Sequence, residues 1–262
     1  MTETFALTPE HRAEFDRVGV LRLPGFLPSA KVAVMAGALW ADLHARYGAE
    51  PHDPKTWPAR RPSHFQALVR SGAFAGLGTP ELHQLGDALL GAGAWTSPKR
   101  WGQPLVTFPT GGWDVPHATW HLDLPAGASL ETLPAIRIFA LLEPVAPRGG
   151  GTPYIAGSHR AVIDRARHAK PGEKLRSADM RALLKAEEPW LAELLRPTDG
   201  DRVARFMDGW GAMRGFPVRV EEMTGEPGDI LIMHPAMFHT VAPNGLDRVR
   251  LALVETFYRG GP

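Results

Sequence analysis

A chain of 262 residues with 44% hydrophobic and 22% charged residues has the composition of a globular protein and is long enough to bury a sizeable core. Its 29 basic and 28 acidic residues leave a formal charge of +1, so we expect neither nucleic acid nor an anionic membrane as a partner. The absence of cysteine excludes disulfides, thiolate nucleophiles, iron–sulfur clusters and cysteine-bound zinc, so any metal must be bound by His, Asp or Glu.

Helical patterns predominate in residues 1–100. Thr8 is followed by a proline and an acidic residue, which is typical of a helix N-terminus, and Val20–Leu23 alternates like a short strand. Apolar residues at helical spacing predict further helices over Ser29–Tyr47 and Pro80–Leu90. We interpret this region as a helical buttress. The start of the chain lacks a basic segment followed by an apolar run, and no stretch has the length of a membrane span, so a cytoplasmic protein is expected.

In residues 101–160 the pattern changes to that of β-strands. Four short stretches are predicted as strands, with Gly157–Arg160 closing the last of them: Leu105–Phe108, His117–Leu122, Ala135–Leu142 and Thr152–Ala156. Residues 161–200 return to helical spacing among many charges and are predicted to form a helical insertion. Strands resume over residues 217–258, and no linker divides the chain, so we expect one domain over residues 1–262.

His121 and Asp123 are candidate metal ligands. Side chains two residues apart on a strand point to the same face, so this imidazole and this carboxylate can approach one ion together. His239, from a distant predicted strand, would complete two histidines and one carboxylate, the ligand set of non-haem iron(II) oxygenases. By itself the pair is weak support, because surface His and Asp residues that only hydrogen-bond each other are more common than metal sites.

Four segments, taken together in order and spacing, resemble the phytanoyl-CoA dioxygenase family of iron(II)- and 2-oxoglutarate-dependent oxygenases. They are the Phe15 to Leu27 entry, Trp120–Asp123, Gly157–Arg160 and the closing His239 to Arg250. The resemblance covers most of the chain. It implies a mainly β fold with flanking helices, in which a double-stranded β-helix, or cupin-like jelly roll, carries N-terminal helices and a helical insertion.

The same resemblance implies roles for individual residues. His121, Asp123 and His239 would bind Fe(II), and Arg250 would bind the distal carboxylate of 2-oxoglutarate through its guanidinium fork. Phe139 would lie beside this co-substrate. Thr107 on the first predicted strand is a further polar candidate for the co-substrate.

Two of these assignments have rivals in the sequence. Arg248 lies on the same strand face as Arg250, and His234 precedes His239; the family spacing of eleven residues between histidine and arginine favours His239 with Arg250. Val241 stands where family members can carry a hydroxyl that helps to hold the co-substrate, so a different second contact is expected.

Three residues are candidates for contact with the substrate. Arg137 would bind an anionic group of the substrate or co-substrate, or would form an internal salt bridge, for example to Glu255, since a buried arginine needs a partner. Trp120 would form part of the substrate wall or of the core. His117 would line the pocket or would be a hydrogen-bonded residue at its rim.

The resemblance implies an oxygenase that hydroxylates a C–H bond of a small molecule, with 2-oxoglutarate and O2 converted to succinate and CO2. An aspartate, rather than glycine or alanine, at position 123 favours hydroxylation over halogenation. Two alternatives stay open, namely a metal-binding jelly-roll protein without oxygenase activity and a cupin-like isomerase or lyase with another divalent metal. We expect a monomer or a homodimer without membrane or nucleic-acid partners.

Overall fold

The computed structural model describes residues 5–260 with the exception of 128, 171, 172 and 174. The ends of the predicted domain, residues 1–4 and 261–262, lie outside the described residues, as do positions 171, 172 and 174 of the predicted insertion. The division of the chain into a buttress, strands and an insertion stays a prediction.

The described part of the chain contains seven α-helices, two 3-10 turns and one π-helical turn. The helices are α1 (Pro9–Val18), α2 (Ser29–Tyr47), α3 (Gln66–Arg70), α4 (Pro80–Leu90), α5 (Ser158–Arg167), α6 (Ser177–Glu187) and α7 (Pro189–Leu194). The 3-10 turns are Pro54–Thr56 and Ala75–Leu77, and the π-helical turn is Ala204–Asp208. The predicted bounds of α2 and α4 are confirmed. Among these described helices, none combines the length and the apolar composition needed to cross a membrane.

Within the described residues, eight strands form two antiparallel sheets. The strands are β1 (Val20–Leu23), β2 (Gln103–Thr107), β3 (Ala135–Leu141), β4 (Pro153–Ala156), β5 (Gly211–Met213), β6 (Phe216–Glu222), β7 (Ile230–Met233) and β8 (Arg250–Tyr258). The larger sheet has the order β1-β7-β3-β8-β2, and the smaller has the order β4-β6-β5. Strands distant in sequence are therefore neighbours, which brings the middle and the end of the chain together.

Side-chain alternation along β3 separates two apolar layers. Ile136 and Ile138 face α2 and α4 on the outer side of the larger sheet. Phe139 and Leu141 face the other way and share a cluster with Tyr154 of the smaller sheet. A third cluster packs the smaller sheet against α6 and α7. Each fully buried large aliphatic side chain contributes about 1.5–3 kcal/mol, so these layers fix the relative position of the two sheets.

Three predictions from the sequence are corrected. The segment His117–Leu122 is not a strand; it pairs only at His121, and Thr119 has a φ of 61°, which interrupts the extended conformation. Gly157–Arg160 does not close a strand, because the left-handed Gly157 (φ 80°) starts α5 at Ser158. The fold is mixed rather than mainly β, since more described residues lie in helices than in strands.

Candidate metal centre

The side chains of His121, Asp123 and His239 converge at one edge of the smaller sheet. Each of the three offers a ligand atom, and these atoms lie within 4.8 Å of one another. His239 Nε2 lies 3.0 Å from Asp123 Oδ2, and the two imidazole rings are 4.1 Å apart between centroids. Two imidazole nitrogens and one carboxylate oxygen at this separation can hold a divalent transition-metal ion.

Backbone pairing brings the two histidines together. His121 N donates to His239 O at 2.9 Å, and His239 N donates to His121 O at 3.0 Å. His239 is also bridged to Tyr154 of β4, so the two histidine segments continue the smaller sheet beyond its regular strands. Directly paired residues of antiparallel strands project from the same face, which places both imidazoles on one side.

Each imidazole is held by a backbone carbonyl group. His121 Nδ1 lies 2.8 Å from Thr119 O, and His239 Nδ1 lies 3.1 Å from Met237 O. Because a carbonyl oxygen only accepts, Nδ1 carries the proton and Nε2 keeps its lone pair. Burial lowers the pKa of His239 to about 4, and desolvation together with the nearby His239 lowers the pKa of His121. Both rings are therefore neutral near pH 7, as metal binding requires.

The hydroxyl groups of Thr119 and Thr240 form a hydrogen bond close to the candidate ligands. Neither threonine was predicted from the sequence to belong to the site. Thr119 Oγ1 and Thr240 Oγ1 are 2.7 Å apart, and Thr240 Oγ1 donates to Ala118 O at 3.1 Å. A positive φ is costly for a β-branched residue such as Thr119, so tertiary contacts must hold it there. Its carbonyl group is thereby directed at His121.

Arg137 forms an ion pair with Asp123 through Nη1. The salt bridge to Glu255 that the sequence left open is not formed; within the described residues, the ion pair of Arg137 is with the candidate ligand. Burial lowers the pKa of Arg137, against the opposing effect of Tyr258 and Glu255. Arg137 Nε is buried without a hydrogen-bond partner, and the guanidinium carbon lies 5.9 Å from the centre of the Phe139 ring.

Arg250 is a buried cation, 4% exposed, for which no ion pair is found within the described part of the chain. Its Nη2 donates to Thr152 Oγ1 at 3.0 Å, and its Nε is buried without a partner. Burial and the nearby Arg61 lower the pKa of Arg250 to about 9, so it is still charged at pH 7. A buried guanidinium without a counter-charge is costly, and an anion beside it would offset that cost.

Other candidates from the sequence occupy different positions. Thr107 lies directly opposite Arg250 in the pairing of β2 with β8, so both side chains share a face. Phe139 is buried between the sheets. Trp120 is 1% exposed, donates through Nε1 to Pro116 O and packs in the cluster beneath the centre, which favours the core interpretation. His117 is exposed.

The two rivals from the sequence, Arg248 and His234, lie elsewhere, and Arg248 is exposed whereas Arg250 is buried. His234 is buried against Phe15 and His159, with its Nδ1 accepting from Ala236 N, so it is not part of the convergent group. Val241 is 48% exposed. The hydroxyl beside Arg250 instead comes from Thr152, 98 residues earlier in the chain, and no local sequence signal identifies this contact.

No protein-family model matches the sequence, and no curated protein sequence matches it. The comparison with solved structures does find similar folds. EctD from S. alaskensis, solved with 2-oxoglutarate and 5-hydroxyectoine, has a TM-score of 0.57 and 18% identity over 99% of this chain and 78% of its own. HygX from Streptomyces hygroscopicus, solved with nickel and 2-oxoglutarate bound, has a TM-score of 0.51 and 20% identity over 97% of this chain and 88% of its own.

A third similar structure is SnoK from nogalamycin biosynthesis, a non-heme alpha ketoglutarate dependent carbocyclase. Its TM-score is 0.51, with 17% identity over 97% of this chain and 87% of its own. At these identities the three likenesses establish the fold, and they extend over nearly the whole chain.

Proposed function

We propose that the chain is an iron(II)- and 2-oxoglutarate-dependent oxygenase with a jelly-roll core, which hydroxylates a C–H bond of a small molecule. The observation that carries the proposal is the convergence of His121, Asp123 and His239, together with a buried Arg250 that has no counter-charge. The two features together match the two ligands that such an enzyme holds.

The three convergent residues fit an iron(II) ion. Their donor set, two imidazole nitrogens and one carboxylate oxygen, occupies one side of a metal and leaves coordination positions open on the other. The carbonyl groups of Thr119 and Met237 hold both rings through Nδ1, so each Nε2 would be available to bind the ion. When bound, iron(II) with 2-oxoglutarate and O2 supplies the oxidising power for hydroxylation, with succinate and CO2 as products.

The surroundings of Arg250 fit the distal carboxylate of 2-oxoglutarate. Its guanidinium can form two parallel hydrogen bonds to a carboxylate, and Nε has no other partner. The hydroxyl group of Thr152 accepts from Arg250 and keeps its own hydrogen for a second acceptor. Thr152 therefore takes the place that Val241 leaves open. Thr107 and Phe139 would border the same co-substrate.

The similar structures support the class of enzyme, whereas the type of reaction is inferred from the residues of the site. EctD and HygX were solved with 2-oxoglutarate, whereas SnoK is a carbocyclase, so one fold accommodates several outcomes. Hydroxylation is proposed because Asp123 keeps the carboxylate ligand in place. Membership of the phytanoyl-CoA dioxygenase family is proposed on the four segments that resemble it.

Conversion of 2-oxoglutarate to succinate in the presence of Fe(II) and O2 tests the proposal without knowledge of the substrate. We expect slow turnover by the native chain and its loss in His121→Ala and Asp123→Ala, because each change removes one of three metal ligands. The exposed His52→Ala serves as the matched control and retains turnover. Turnover that persists in both ligand variants would exclude these residues as the metal site.

A further inference from the structure

Helix α6 runs beside the segment that carries His121 and Asp123. Leu124 N donates to Ser177 Oγ at 3.1 Å, which fixes the first turn of α6 next to this segment. Met180 of α6 packs in the same apolar cluster as Trp120 and Leu122. A residue four positions after Ser177 lies on the same face of the helix, one turn further on.

That residue is Arg181. Its Nε is buried without a hydrogen-bond partner, and across the described residues no ion pair to Arg181 is found. Arg181 therefore lies on the face of α6 that meets the segment carrying His121 and Asp123, and Arg137 reaches the same segment through its ion pair with Asp123. Arg137 likewise has a buried Nε without a partner.

In the proposed complex, no net negative charge remains to compensate the positive charges of Arg137 and Arg181. A divalent iron, Asp123, doubly charged 2-oxoglutarate and Arg250 sum to zero. Arg137 then competes with the metal for its one ion-pair partner, and Glu255 is the carboxylate that still acts on it. No carboxylate faces Arg181 within ion-pair distance in the described part of the chain. A net positive charge beside His121 and Asp123 favours an anionic ligand.

We propose that Arg181 and Arg137 together bind an anionic group of the substrate, a carboxylate or a phosphate, beside the metal centre. The proposal rests on the proposed function and names the substrate class for it. Arg181 binds from the side of the exposed His121, and Arg137 binds from β3 next to Phe139. A guanidinium fork suits both oxyanions, and an anchor of this kind would hold a nearby C–H bond of the substrate in a fixed position.

Phenylacetate, phenylacetamide and phenyl phosphate are suitable probes, since they share a ring and differ in charge. Calorimetric titration into the chain loaded with Ni(II) and 2-oxoglutarate avoids turnover. We expect at least one acid to bind about tenfold more tightly than the amide, the effect of one charged hydrogen bond. The acid that binds more tightly identifies the anion as carboxylate or phosphate.

Two substitutions of Arg181 test whether the tighter binding of an acid depends on this residue. Arg181→Gln is expected to abolish it and to leave 2-oxoglutarate binding unchanged, and Arg181→Lys restores part of it. Lys185→Gln removes the same charge from the exposed side of α6 and keeps the preference. The proposal is overturned if neither acid binds, if acid and amide bind equally, or if Arg181→Gln keeps the preference. Failure of 2-oxoglutarate to bind at all would instead contradict the proposed function.

Discussion

Among the described residues, Arg137, Arg181 and Arg250 each have a buried Nε without a hydrogen-bond partner, and each lies in a different environment. Arg250 is buried beside Thr152, Arg137 pairs with Asp123, and Arg181 meets no carboxylate within the described residues. Buried cations are costly unless they are paired. Arg137 meets the convergent His-Asp-His group directly through Asp123, and an anion beside the other two would offset the cost of their buried nitrogen atoms.

Thr152→Val tests the contact that replaces the hydroxyl missing at position 241. Valine keeps the shape of threonine and removes the hydroxyl group, so Arg250 loses one partner and the co-substrate loses one donor. We expect the dissociation constant for 2-oxoglutarate to rise about threefold to tenfold, the effect of one hydrogen bond. Thr132→Val at an exposed position is the matched control. An unchanged affinity of Thr152→Val for 2-oxoglutarate would show that Thr152 does not contact the co-substrate.

Two buried histidines outside the centre make stability depend on pH. Burial lowers the pKa of His159 to about 4 and that of His234 to about 3. An unfolded imidazole titrates near about 6.5, so between these values the unfolded chain binds more protons than the folded chain. The free energy of unfolding therefore falls as the pH decreases through this range, by at most about 1.4 kcal/mol per pH unit for each histidine.

Urea unfolding between pH 7 and pH 4 (about the range of these pKa values) measures this dependence. The double variant His159→Gln, His234→Asn keeps the hydrogen-bonding atoms at Nε2 and Nδ1 and removes the titration. We expect a shallower slope in the variant than in the native chain. The exposed His52→Asn controls for loss of an imidazole, and equal slopes in all three proteins would contradict the assignment.

At the scale of elements, the end of α1 is fixed by a glycine with two separate requirements. Gly19 has a φ of 84°, and a Cβ atom there would lie 2.3 Å from Met237 Sδ and 2.5 Å from His159 Nδ1. Its carbonyl group accepts from His234 N at 2.9 Å, which ties α1 to the segment leading to His239. Left-handed conformation and lack of space both demand glycine at this position.

Gly19→Ala is therefore expected to destabilise the fold more than Gly48→Ala. Gly48 ends α2 with a similar φ of 68°, but a Cβ atom there would meet nothing within 4 Å. Both variants incur the conformational cost of about 1–2 kcal/mol, and only Gly19→Ala adds overpacking of about 1–3 kcal/mol. Denaturant titration of the two variants measures the difference. Equal decreases in the free energy of unfolding would contradict this prediction, because they would show that Met237 and His159 move aside without an energetic cost.

The sequence predicted the regular elements well where periodicity was strong. The bounds of β1, α2 and α4 follow from apolar spacing and end signals. It failed at His117–Leu122, because the conformation of Thr119 depends on its contact with Thr240, 121 residues away. It also failed at Ser158, where a glycine turn starts a helix in place of ending a strand.

The same distinction applies to the site. The alternation of Trp120, His121, Leu122 and Asp123 is a local property, and the structure places the apolar pair in the core and the polar pair at the centre. The partners of the arginines are not local. The contact between Arg137 and Asp123 and the approach of α6 arise from tertiary packing, which no spacing in the sequence encodes.

At the scale of the whole molecule, two antiparallel sheets pack against each other, and His121, Asp123 and His239 lie at the edge of the smaller one. The cluster between the sheets excludes water behind Phe139, while the exposed side of His121 leaves the centre accessible. Helices α2 and α4 support the larger sheet from outside, and α6 packs against the segment that carries His121 and Asp123. Arg250 is buried and His121 is exposed, as the proposed separation of co-substrate and substrate requires.

Anaerobic addition of Fe(II) and 2-oxoglutarate tests the central claim most directly, because the chelate absorbs weakly in the visible range only when both bind at one iron with open positions. The account predicts this charge-transfer band in the native chain, its loss in His239→Ala and a need for much higher 2-oxoglutarate in Arg250→Lys. Binding of iron by the native chain without the band at any 2-oxoglutarate concentration would contradict the account and would favour a metal-binding protein, isomerase or lyase.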